Sequence, residues 1–94
     1  MDISTTPIAE RIARVLTARR ISANAAGDEE SAADTIDANW RDHLPDALAV
    51  LRTLREPDEA MATAGDVAIW ERMVLTAIDH ATTCLLYTSD AADE

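Results

Sequence analysis

Three stretches of this chain repeat apolar residues every three or four positions, and none alternates apolar with polar as a half-buried strand does. That spacing commits the chain to helices with one apolar stripe each. In the first stretch Ile8, Ile12, Val15 and Leu16 draw the stripe, with Thr6 as N-cap and Pro7 at the first helical position. Glu10, Arg11, Arg14 and Arg19 fall on its other faces, and the end is expected near Arg20, where paired arginines suit a helix C-terminus. The second stretch has Pro45 in its first turn, repeats Leu44, Leu48, Leu51 and Leu54, and stops at Glu56-Pro57. Pro cannot continue the hydrogen-bond ladder and turns the residue before it away from helical backbone. Pro57 starts a brief further helix, with Asp58 and Glu59 in its first turn, Met61 on its buried side and Gly65 as a left-handed C-terminal residue. Asp66 then N-caps the cleanest stripe, Val67, Trp70, Met73, Val74, Ala77, Ile78 and Ala81.

Residues 22–37 form an acidic connection, poorly ordered by composition, and a short helical turn from about Asp34 to Trp40 is compatible with the spacing of Ile36 and Trp40. The expected fold is all-α: a small bundle of three to four helices joined through that connection, in a single domain spanning residues 1–83.

That domain limit comes from the last eleven residues. From Cys84 onward the chain matches the translation of the DNA adapter left by transposase-based sequencing libraries, and the adapter's final two bases, GA, allow only Glu or Asp where Glu94 stands. The native chain is therefore expected to be residues 1–83, cut at the end of a DNA fragment. The single Cys and the single Tyr then belong to the tail, so cysteine count says nothing about redox compartment. Asp90, Asp93 and Glu94 are 3 of the 18 acidic residues; without them 15 acids face 8 bases, a charge of −7 against −10 for the whole chain. All 8 basic residues are Arg and Phe is absent, a codon signature of a GC-rich bacterial genome. An acidic chain is not expected to bind nucleic acid or an anionic membrane, since both need a basic surface. No apolar run approaches the roughly 18 residues of a membrane span, and the acidic start Met1-Asp2-Ile3 is unlike a secretory signal. A cytoplasmic location is expected.

Trp40, Leu44-Pro45, Ala47, Val50-Leu51, Leu54, Arg55-Glu56-Pro57, Met61, Ala64-Gly65, Trp70 and Met73 together form a pattern. It is a Trp, a Pro-opened helix rich in Ala and Leu, an Arg-Glu-Pro break, a Met and an Ala-Gly, closed by a Trp-containing helix. In this pattern the chain resembles a family of short helical proteins found in bacteria and their prophages. The resemblance covers about half of the chain, from residue 40 to 81, and implies a shared fold but no activity.

Few residues invite chemistry. Trp40 and Trp70 are the candidate partner-binding residues, because Trp is enriched at binding hot spots. Trp70 reads more readily as core, since it lies in the stripe. For Trp40, beside the acidic connection, an exposed anchor and a core ring are equally compatible with the sequence. Asp42-His43 and Asp79-His80 place a carboxylate beside a histidine, but neighbours on a helix do not face each other, so both histidines are read as surface residues. Asp28-Glu29-Glu30 with Asp34 and Asp37 lacks the Gly position and closing Glu of a calcium loop. No catalytic, cofactor-binding or metal-binding residue is assigned, and no cofactor or enzymatic activity is expected. The favoured function is a small helical interaction module that binds a protein partner or itself, because helices this short bury little surface alone. The alternative is an acidic, phage-type inhibitor that presents carboxylates in place of phosphates to a basic partner.

Overall fold

A computed structural model describes residues 3–24 and 32–86. Among them the chain is all-α, as its periodicity requires: α1 (Ile8–Asn24), α2 (Ala32–Asn39), a 3-10 turn (Trp40–His43), α3 (Leu44–Leu54), α4 (Glu59–Ala64), α5 (Val67–His80) and a π-helical turn (Ala81–Leu86). There is no strand among the described residues. Contacts divide the chain into two compact units, Met1–Ala47 and Leu48–Glu94, with the boundary inside α3.

In the first unit α1 starts directly after Pro7, whose carbonyl accepts the Arg11 N–H at 3.1 Å. Its buried face is Ala9, Ala13 and Thr17, and the expected stripe is corrected: Ile12 and Leu16 flank that face half-buried, while Ile8 and Val15 are exposed, Val15 by 59%. The reason lies in what α1 meets. It packs on the 3-10 turn and on α2, and the 3-10 turn contributes the large ring of Trp40, 5% exposed. A bulky ring on one side leaves room only for small side chains opposite. Thr17 fits because its buried hydroxyl donates to the Ala13 carbonyl at 2.8 Å and so is not left unpaired. Ile21, four residues after Thr17, continues the same face half-buried, and this carries α1 beyond the expected end at Arg20 to Asn24.

The acidic connection is shorter than its composition suggests. Residues 22–24 belong to α1 and residues 32–37 to α2; residues 25–31 lie outside the described residues. The 3-10 turn follows from Pro45. Lacking an N–H, Pro45 cannot bond the Arg41 carbonyl, and Leu44 N–H supplies the tighter bond instead. Leu44 and Ala47, at the start of α3, are fully buried.

The second unit holds the rest of α3, where Leu48 and Leu51 are buried but Leu54, expected in the same stripe, is exposed at the helix end. Asp58 N-caps α4 by accepting the Met61 N–H at 2.9 Å, and Asp66 N-caps α5 by accepting the Ile69 N–H at 3.1 Å, as expected of Asp66. Gly65 between them is not left-handed: its φ of −159° and ψ of −168° are extended, because the chain leaves α4 straight into the N-cap of α5. Within α5 the inward side is narrower than the stripe predicted. Val74 and then Ala81 are buried, and Trp70, Ala77 and Ile78 are half-buried. Val67 in the first turn and Met73, about 60° around the helix from Trp70, are exposed. Beyond His80, Thr82 and Thr83 donate to the Ile78 and Asp79 carbonyls at 2.9 and 3.0 Å. The backbone of this last turn is π-helical. The adapter-like tail contributes Cys84, exposed, to this turn, and residues 87–94 lie outside the described residues.

Candidate functional site: an apolar groove at the α4–α5 corner

Trp40 and Trp70 have opposite environments. Trp40 is buried in the first unit with two guanidinium groups over its ring, Arg41 at 4.5 Å and Arg14 at 5.2 Å from the centroid. Arg14 is fixed from two sides, bonding Glu10 at 2.8 Å and Asp37 at 2.7 Å. These bonds to carboxylates raise its pKa above the ordinary arginine value, the Asp37 bond most. Of the two readings the sequence left open for Trp40, its ring is the core one, and Arg14 holds α1, α2 and the 3-10 turn together.

Trp70 sits half-buried in the second unit. Its indole Nε1–H donates to the Leu54 carbonyl at 2.7 Å, tying α5 to the last turn of α3. That carbonyl belongs to a helix terminus and has no partner in its own helix, so one bond fixes the ring and closes α3. With its polar edge turned to Leu54, the ring helps to line an apolar groove of about 320 Å³. The remaining lining is Pro57, Met61 and Ala64 from α4 and its approach, Gly65 and Asp66 from the link, and Val67, Ile69 and Met73 from α5.

This groove collects apolar side chains that a helix would ordinarily bury. Met73 is 61% and Ile69 49% exposed, and Val67 and Met61 are also exposed, although Met61 was expected on a buried side. Of the polar atoms on its lining side chains, Trp70 Nε1 is engaged on the Leu54 carbonyl and Asp66 Oδ1 on the Ile69 N–H. A small-molecule site needs a few converging polar groups to orient its ligand. Here apolar contact dominates. Sequence reasoning named Trp70, Met73 and Met61 but passed over Ile69. Its signal was an apolar residue one position before Trp70 and off the core stripe.

The other candidates do not assemble into a site. His43 is not a surface residue: its side chain is 15% exposed and its Nδ1 lies 3.8 Å from Asp46, not against Asp42. His80 is exposed at the end of α5. Asp28, Glu29 and Glu30 of the acidic run lie outside the described residues, Asp37 is taken by Arg14, and no group of His, Cys, Asp and Glu suited to a metal occurs among the described residues. No described helix is long and apolar enough to cross a membrane. Compared with protein-family models, curated proteins and solved structures, the chain gives no match in any of the three.

Proposed function

We propose that the chain is a small protein-interaction module without catalytic activity, and that the groove between α4 and α5 is its contact surface. The observation that carries this reading is the row Met61, Val67, Ile69 and Met73, exposed around a half-buried tryptophan. Soluble domains tend to leave apolar residues exposed together where a partner covers them, and Trp with Met is a common anchor pair, since the ring is rigid and the thioether adapts. A bacterial or prophage origin is part of the same proposal, resting on codon usage and the resemblance to short prophage-encoded helical proteins.

Quantitative co-purification from the host tests it. The full chain is compared with an Ile69→Glu/Met73→Glu variant, both positions being exposed enough to accept a carboxylate without unfolding. Proteins recovered with the parent and lost from the variant, at unchanged melting temperature, support the reading. Identical recovery from both chains removes it.

A further inference from the structure

Resting on the interaction-module reading, we infer that the groove takes an amphipathic helix carrying basic residues beside its apolar anchors, rather than a second copy of this chain. The shape of the lining argues for side chains of another protein. About 320 Å³ equals roughly ten waters' worth of space, enough for a few anchors projecting from one face of a helix, which is how helix-in-groove contacts are built.

Charge selects the partner. Each copy carries −10, or −7 without the adapter-like tail, so pairing with itself brings two negative bodies together either way. Locally, the lining has one carboxylate and no basic residue. That carboxylate, Asp66, spends Oδ1 on its helix cap, and Oδ2 has no partner among the described residues. Glu56 and Asp58, exposed on either side of Pro57, outnumber Arg55 at the α4 end. A lysine or arginine next to an apolar anchor thus meets a carboxylate at Asp66 and an aromatic ring at Trp70. The first unit shows the same chemistry at Trp40, whose ring accepts Arg14 and Arg41.

The test uses three helical peptides with the same leucine face and Lys, Gln or Glu on the other, titrated by fluorescence anisotropy into the full chain. The Lys peptide is expected to bind at least about tenfold more tightly than the Gln peptide at low salt, and the Glu peptide most weakly. That preference shrinks severalfold between about 0.01 and about 1 M salt, as the Debye length falls from about 30 to about 3 Å. Asp66→Asn, which keeps a good N-cap while removing the charge, should reduce the preference about two- to fivefold without changing the melting temperature. Ile69→Glu should abolish binding of all three peptides.

Equal binding of the Lys and Gln peptides overturns the basic-partner inference and leaves the interaction reading standing. Lys-peptide binding that Ile69→Glu leaves intact also overturns it, by showing attraction to the acidic surface elsewhere. So does a concentration-dependent dimer that Ile69→Glu disperses, which puts a second copy in the groove. Failure of all three peptides overturns the inference too, and the co-purification comparison then decides the broader reading by itself.

Discussion

Gly65 links α4 to α5 on extended backbone, and a Cβ added there would meet no atom within 4 Å. Nothing local requires glycine, so Gly65→Ala is expected to raise stability by about 0.4–1 kcal/mol through the entropy of the unfolded chain. A loss of more than about 1 kcal/mol in urea unfolding would show that the link needs glycine after all. Next to it, Asp66→Ala removes the acceptor for the Ile69 N–H and should cost about 0.5–2 kcal/mol, whereas Asp66→Asn should be nearly neutral. The Asp66 cap was legible in the sequence because the capping side chain is local. The conformation of Gly65 was not, because it depends on the direction in which the next helix leaves. Arg14 acts through Glu10, Asp37 and the Trp40 ring. With its pKa raised in the folded state, its contribution is complete below the unfolded value and is lost only as pH climbs through the folded one. Stability differences between Arg14 and Arg14→Gln chains should accordingly not shrink as pH rises from about 7 to 9, arginine titrating well above that range.

At the scale of the elements, the helices were legible and two of their inward faces were not. Periodicity placed α3 and α5 to within a few residues, and the Pro and Asp signals marked their limits. In α1 the largest apolar residues drew attention, yet the buried row is Ala9, Ala13 and Thr17. The bulk there comes from Trp40, and one helix's sequence cannot announce the size of its neighbour. Ala13→Leu is therefore expected to destabilise by about 1–3 kcal/mol through overpacking, while Val15→Ala should stay within about 0.5 kcal/mol. The reverse order in thermal unfolding would restore the Ile8–Val15 stripe as the core face. In the second unit Trp70→Phe keeps most of the ring and loses the 2.7 Å bond to the Leu54 carbonyl. A cost of about 1 kcal/mol is expected, at the low end if water replaces the donor.

At the scale of the whole molecule, acidity and an exposed apolar groove are two sides of one account. The net charge, −10 for the full chain and −7 without the adapter-like tail, opposes association of copies, which suits a unit that leaves Ile69 and Met73 exposed. The groove itself was only half legible, since a stripe cannot say which of its members are uncovered. The full chain is expected to sediment as a monomer, with Met73→Glu changing neither mass nor melting temperature. The most direct measurement is a nitrogen-15 NMR titration of the full chain with the Lys-bearing helical peptide, in which the two tryptophan indole N–H signals report separately. The Trp70 indole and the Gly65 and Ile69 amides are expected to move together while the Trp40 indole stays in place. Movement of Trp40 without Trp70, or of neither, contradicts the groove as contact surface.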